Sequence, residues 1–254
     1  MNPLAGIVGC LVLLAVSMAA LSAWRRRASL EAVRKALHVE MGLLASVAPW
    51  VFSASWPMLV LAGLAVAWFW AVKACRPLHR RFRRVLRAGD RRRSRGEFFF
   101  VGGVLAAYVL SSGEPAYYCT AVLVLTLADT AAALVGRKFG KHPYGASEAR
   151  KTLEGSGAFF IVAFVCVAAC LAWLSAHPTA PNVAAALAAA VAATLLEAGS
   201  RRGADNLLVP IGTVAALRLV LEHESSPVAI ALIAGGAVLV AASGLRPQMR
   251  GSHV

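Results

Sequence analysis

Residues 116–135 read Ala116-Tyr-Tyr-Cys-Thr-Ala-Val-Leu-Val-Leu-Thr-Leu-Ala-Asp129-Thr-Ala-Ala-Ala-Leu-Val135. With one exception the stretch is apolar or weakly polar. At about 1.5 Å of rise per helical residue it covers the ~30 Å of a bilayer's hydrocarbon. The exception is Asp129, and an ionisable side chain at membrane depth costs about 2.5–3.5 kcal/mol on insertion scales. The segments that follow are Gly136-Arg-Lys-Phe-Gly-Lys141 and Arg150-Lys-Thr-Leu-Glu-Gly-Ser156. A membrane carboxylate followed at once by glycines and cations is expected to hold a polar substrate at the membrane face.

The rest of the chain agrees with this membrane reading. It is 59% hydrophobic and 15% charged over 254 residues, with a mean hydropathy of +0.68. A soluble domain of that length is not so apolar. Apolar blocks fall near 4–23, 39–54, 56–73, 97–112, 115–135, 155–176, 182–198, 207–221 and 227–244. They predict an all-α fold, a polytopic integral membrane helix bundle of about seven to nine transmembrane helices. Residues 1–254 are expected to form a single transmembrane domain, because no hydrophilic block is long enough to fold alone.

The formal net charge of +14 resembles a nucleic-acid signal until it is mapped. Lys and Arg gather at 25–35, 73–95, 137–151, 201–202 and 246–250, which are alternate connections. That is the positive-inside pattern. Nine spans then put the N-terminus outside and the C-terminus inside, and the expected partner is the lipid bilayer, with no nucleic acid. The stretch 73–95 holds one lysine and ten arginines against Asp90, which suits an anionic inner leaflet. Trp24, Trp50, Trp56, Trp68, Trp70 and Trp173 all fall near span ends, where amphipathic rings favour the interface. Five cysteines, an odd number, suggest no disulfide framework. The arginines follow the first apolar run instead of preceding it, so a retained span is expected there in place of a signal peptide.

With this orientation the polar groups crowd the cytoplasmic side. Arg34, Lys35, His38 and Glu40 precede or open the second span, and Glu97 opens the fourth. Asp129 lies about two turns from the inner end of the fifth span. Lys151, Thr152, Glu154 and Ser156 lead into the sixth span; Glu197 closes the seventh; Asp205 and Asn206 lead into the eighth. One cytoplasm-facing site would need such groups at these helix ends. On the helix of Asp129, Thr126, Thr130 and Ala133 share its face, and a carboxylate there can bind Mg²⁺, which normally arrives with phosphate. The alternative is an Asp that pairs with an Arg or caps a broken helix.

Gly136-Arg137-Lys138-Phe139-Gly140-Lys141 lets backbone N–H groups converge on an anion, yet the same spacing also serves helix packing. Gly145–Thr152 fails the P-loop pattern, because Arg150 stands at the second glycine and no soluble strand precedes it. Lys151 against a phosphate, with Thr152 or Ser156 near a metal or at a helix N-terminus, would do related work. Asp205-Asn206 reads equally as metal ligands or as a plain N-cap. His38 and Glu97 also suit interfacial residues reaching headgroups. The linker His142-Pro-Tyr-Gly-Ala-Ser-Glu-Ala-Arg150 carries no pattern of its own.

Taken together, Asp129-x-x-Ala-x-x-x-Gly136-Arg-Lys-Phe-Gly140-Lys, Lys151-Thr-Leu-Glu154-Gly-Ser156 and Leu196-Glu197 through Gly203-x-Asp205-Asn206-Leu-x-Val-Pro210 resemble the polyprenol kinase family. This is the membrane group containing dolichol kinase, phytol kinase and CTP-dependent diacylglycerol kinase. Arg34-Lys-x-x-His38 and Gly96-Glu97 match its N-terminal pattern, so the resemblance covers roughly residues 30–215. The middle motif is also similar to CDP-diacylglycerol synthases, whose C-terminal signature is absent here. The resemblance implies phosphoryl transfer from CTP, or another NTP, to the hydroxyl of a lipid alcohol, with Mg²⁺. It implies metal or catalytic roles for Asp129 and Asp205, with Asn206 beside it. It implies phosphate binding by Lys151 and Arg137. The nucleotide-binding residues would be Gly136, Arg137, Lys138, Gly140, Lys141, Thr152, Glu154, Gly155 and Ser156, the last three shaping the nucleotide loop, with Arg34, Lys35, His38 and Glu97 in support. Phosphoryl transfer is mostly positioning and charge neutralisation, which is what such a residue set supplies. Either Asp129 or Glu197 would take the alcohol's proton.

Two other readings compete. A cytidylyltransferase making a CDP-lipid would release pyrophosphate instead of CDP. A transporter would use Asp129 and Glu197 as ion sites, but transporters place these near the midplane, often within inverted repeats, and no repeat is visible. The arginine-rich short loops point to a bacterial inner membrane, with the site facing the cytoplasm. The oligomeric state is not readable.

Overall fold

A computed structural model describes residues 2–24, 30–52, 54–77, 95–145, 151–174 and 181–222. The span expected at 227–244, the arginine-rich residues 78–94, the cluster at 246–250, residues 146–150 of the linker and the Trp24 side chain lie outside this description.

The described chain is helical throughout, apart from one small hairpin. The helices are α1 (Pro3–Trp24), α2 (Leu30–Ser46), the short α3 (Ala48–Val51), α4 (Trp56–Ala74), α5 (Gly96–Leu110), α6 (Pro115–Leu123), α7 (Asp129–Phe139), α8 (Leu153–Leu174), α9 (Pro181–Gly199) and α10 (Asp205–Leu221). A π-helical turn, Val124–Ala128, joins α6 to α7 without a break. Prolines sit in the first turns of α3, α4 and α6, where the missing N–H has no helical partner to lose. Three helical segments among the described residues are long and apolar enough to cross a membrane: Trp56–Ala74, Pro115–Phe139 and Leu153–Leu174. Pro3–Ser17, Gly96–Leu110 and Val183–Gly199 are shorter apolar helices.

Two segments differ from the sequence reading. The span expected at 39–54 begins earlier, at Leu30, and breaks after Ser46 before the short α3. Arg34, Lys35 and His38 therefore stand on a formed helix, not ahead of one. The span expected at 115–135 runs on to Phe139, so Gly136-Arg-Lys-Phe139 is the last turn of that helix. Only Gly140 leaves the helical conformation, as its C-cap.

The core lies between α6–α7, α8, α9 and α10. Ala185, Ala186, Ala189, Ala190 and Ala193 of α9 are fully buried. Methyl side chains let α9 approach α8 and α10 closely, which is how helices associate where lipid removes the hydrophobic drive. The same device seats α2: a Cβ on Gly42 would overlap the Thr126 side chain. At the end of the bundle remote from Lys35, the Tyr118 hydroxyl donates to Ala45 O at 2.8 Å and the Cys119 thiol to Ser46 O at 3.2 Å. On the periphery, α1 and α4 expose Leu4, Val8, Val12, Leu59, Trp68 and Trp70, the outward apolar surface that lipid covers.

Candidate active site

One end of the bundle gathers the charges. Asp129 begins α7 directly after the π-helical turn, and such turns frequently mark functional positions. Its Oδ2 is 2.6 Å from Lys35 Nζ of α2, which also donates to the Asp129 carbonyl at 3.2 Å. Lys35 is 4% exposed, so the ion pair is its solvation. His38, one turn on, lies 3.5 Å from the same carboxylate oxygen. Its Nε2 is 3.3 Å from the Leu125 carbonyl inside the π turn, and its ring packs edge-on against Phe100 at 5.2 Å. Thr126 and Thr130 donate to the carbonyls four residues back, Val122 and Thr126, at 2.6 and 2.8 Å, so side chains brace the backbone around Asp129.

A second cluster forms where three elements meet. Pro143–Tyr144 (β1) pairs antiparallel with Lys151–Thr152 (β2), with Tyr144 opposite Lys151. Lys151 Nζ lies 2.7 Å from Glu197 Oε1 near the end of α9 and 3.7 Å from Asp205 Oδ2 at the start of α10. It also donates to the Glu197 carbonyl. Burial alone would lower the Lys151 ammonium, but the facing carboxylates of Glu197 and Asp205 outweigh it and raise the group above its usual range. It is therefore a cation at any physiological pH, suited to bind phosphate and unable to act as a base. Glu197 is 6% exposed; its Oε2 accepts from Ser156 Oγ at 3.5 Å, and Ser156 in turn bonds the Tyr144 hydroxyl. Asp129 and Asp205 both act electrostatically on Glu197, which joins the two clusters in one field.

The glycines turn out to be close-packed. A Cβ on Gly136 would sit 2.9 Å from Thr152 Oγ1, and one on Gly155 would sit 2.9 Å from Ala132 O. Thr152 fills the space beside Gly136 and Gly140, and its Oγ1 accepts the Gly155 N–H at 3.1 Å. Of the two sequence readings for this motif, the packing one describes what the glycines touch. Glu154 carries a separate clasp: it bonds His142 through Nδ1 at 2.7 Å and through the backbone N–H at 3.3 Å. Arg137, Lys138 and Lys141 are exposed along this rim.

Of the other expected residues, Asn206, Glu97 and Arg34 stand next to the clusters instead of within them. Asn206 Nδ2 donates to Gly96 O at 3.0 Å, tying α10 to the start of α5. Asp205 is the first residue of α10, not its N-cap, and accepts the Asn206 N–H at 3.0 Å. Glu97 pairs with Lys73 at 3.1 Å, and Arg34 belongs to the electrostatic surroundings of Asp129. Sequence reasoning missed Tyr144. The Gly145 that follows it, at φ +83°, was the available turn signal.

Among the described residues, no group of three or more His, Cys, Asp or Glu side chains gathers as a metal cage. Asp129 and Asp205 are separate carboxylates, each already on a lysine. One or two carboxylates are what Mg²⁺ arriving on phosphate with its own waters would need.

The chain is similar to a phytol kinase of Synechocystis sp., with 29% identity over 185 residues, 72% of this chain and 76% of that protein. No family model matches the chain, and no solved structure matches it. The similarity agrees in direction with the resemblance that the motifs carry.

Proposed function

We propose that this chain is a membrane lipid-alcohol kinase. It transfers the γ-phosphoryl group of CTP, or of another NTP, to the hydroxyl of a prenol, a phytol-like alcohol or a diacylglycerol. The observation that carries the reading is the convergence of Lys151, Glu197 and Asp205, within electrostatic range of the Asp129–Lys35 pair, at one end of an apolar helical bundle. The similarity to a phytol kinase supports the same reading.

In the reaction the alcohol oxygen bonds to the γ-phosphorus, the bond from γ-phosphorus to the β–γ bridging oxygen breaks, and CDP leaves. The proton of the alcohol passes to a carboxylate, Asp129 or Glu197. Lys151, with Arg137, Lys138 and Lys141 on the rim, neutralises the polyphosphate. Asp129 and Asp205, with Asn206 beside it, are assigned to Mg²⁺, which when bound spreads the phosphate charge. Gly136, Gly140, Thr152, Glu154, Gly155 and Ser156 are assigned to the nucleotide site, where the close-packed glycines seat the end of α7 against the start of α8, and Arg34, Lys35, His38 and Glu97 support it. The bundle crosses a bacterial inner membrane seven to nine times, with this end facing the cytoplasm.

The test is purified protein incubated with CTP, ATP or GTP and a panel of polyprenol, phytol and diacylglycerol. CDP and a phosphorylated alcohol are expected in equal amounts. Pyrophosphate and a CDP-lipid formed from phosphatidate would make the protein a cytidylyltransferase instead. Turnover with no substrate would leave the transporter reading.

A further inference from the structure

Tyr144 lies in the linker that showed no pattern in the sequence, yet its hydroxyl ends a directed chain of hydrogen bonds. Glu197 uses both carboxylate oxygens: Oε1 takes Lys151 at 2.7 Å and Oε2 takes Ser156 Oγ at 3.5 Å. A serine hydroxyl has one proton. Donating it to Glu197 leaves Ser156 lone pairs, which accept the Tyr144 hydroxyl. The donors therefore run one way, from Tyr144 to Ser156 to Glu197, and Lys151 closes on the other carboxylate oxygen. The hairpin makes this possible. Tyr144 and Lys151 are opposed residues of an antiparallel pair, and opposed side chains project from the same face. The phenol and the ammonium thus approach Glu197 together. Burial is the main cause that raises the half-buried Tyr144 hydroxyl above its usual range, so it keeps the proton it donates.

We infer that Tyr144 is a positioning residue: acting through Ser156, it fixes the Glu197 carboxylate and so holds Lys151 in place. The catalytic consequence rests on the kinase reading; the network itself rests on the geometry. Without the phenol oxygen, Ser156 is free to turn its proton elsewhere, Glu197 loses its second anchor, and Lys151 moves. At metal sites, losing an outer partner of a ligating side chain costs about 10- to 100-fold, and a loss toward the lower end of that range is expected here.

The experiment uses the full chain in lipid nanodiscs, with Tyr144→Phe, Ser156→Ala and the double variant. The rate at which an amine-reactive reagent acylates Lys151 is followed by peptide mass spectrometry. Buried Lys35 serves as the internal control. Each single variant is expected to speed labelling of Lys151 several-fold, the double variant no further, and Lys35 to stay unlabelled. Unchanged Lys151 labelling in Tyr144→Phe, or effects of the two substitutions that multiply, would overturn the inference. Labelling of Lys35 alongside Lys151 would mark a merely structural role and overturn it too. With a lipid alcohol and CTP, Tyr144→Phe is expected to lower kcat/KM for CTP about tenfold. A wild type that phosphorylates no alcohol would end the kinase reading, while the labelling comparison would still decide the role of Tyr144.

Discussion

At the scale of single residues, Asp129 and Lys35 are bound to each other. Their 2.6 Å pair keeps a nearly inaccessible ammonium from standing alone, and breaking a buried pair by removing one partner costs about 3–5 kcal/mol. Asp129→Asn is therefore expected to lose both thermal stability and transfer activity. Lys35→Met combined with Asp129→Asn removes both charges, and should recover most of the melting temperature while remaining inactive. Activity in the double variant would release Asp129 from any catalytic assignment. Lys151 yields a pH prediction. Its folded ammonium titrates above the ordinary 10.5, so its contribution to stability is complete below that value and is lost as pH rises through the higher folded one. The melting-temperature gap between wild type and Lys151→Met should be flat from pH 7 to about 9 and should close only in stronger alkali. Asp129 was legible in the sequence because a carboxylate in an apolar run conflicts with its surroundings. Lys35 as its partner was not, because 94 residues separate them and only the fold sets them side by side.

At the scale of elements, the site depends on close approaches that small residues permit. Gly42 lets α2 lie against Thr126 of the π turn, which brings Lys35 and His38 to Asp129. Gly42→Ala is expected to cost about 1–3 kcal/mol of stability, as overpacking does, and to reduce activity with it. A melting temperature equal to wild type would show that α2 is seated otherwise. The apolar blocks marked where most of the described helices form, and three of these are long and apolar enough to cross a membrane. The details around the site were hidden for physical reasons. A π turn needs one extra residue in a helical ladder, which leaves no mark on hydrophobic periodicity. The two-residue hairpin at Tyr144 and Lys151 is too short for alternation to register. The glycines near Gly136 showed that close contact was required, but not whether the contact was a phosphate or Thr152.

At the scale of the molecule, charge asymmetry and site position form one pattern. The ends of α2, α5, α7, α9 and α10 carry Lys35, Glu97, Arg137, Glu197 and Asp205, with Lys151 on β2, and in the sequence lysine and arginine fall in alternate connections. Cys75, exposed just beyond α4, belongs to the basic end and Glu114 to the other. A membrane-impermeant maleimide is expected to label Cys75 in inverted vesicles only and Glu114→Cys in right-side-out vesicles only; the reverse would turn the site away from cytoplasmic nucleotide. The most direct measurement follows the label itself. Purified protein is given a polyprenol, phytol or diacylglycerol with CTP labelled either at the γ- or at the α-phosphate. The expected result is γ-label in the lipid and α-label in CDP, both abolished in Lys151→Met. Label from the α-phosphate in the lipid, or transfer that survives Lys151→Met undiminished, would contradict phosphoryl transfer at this cluster.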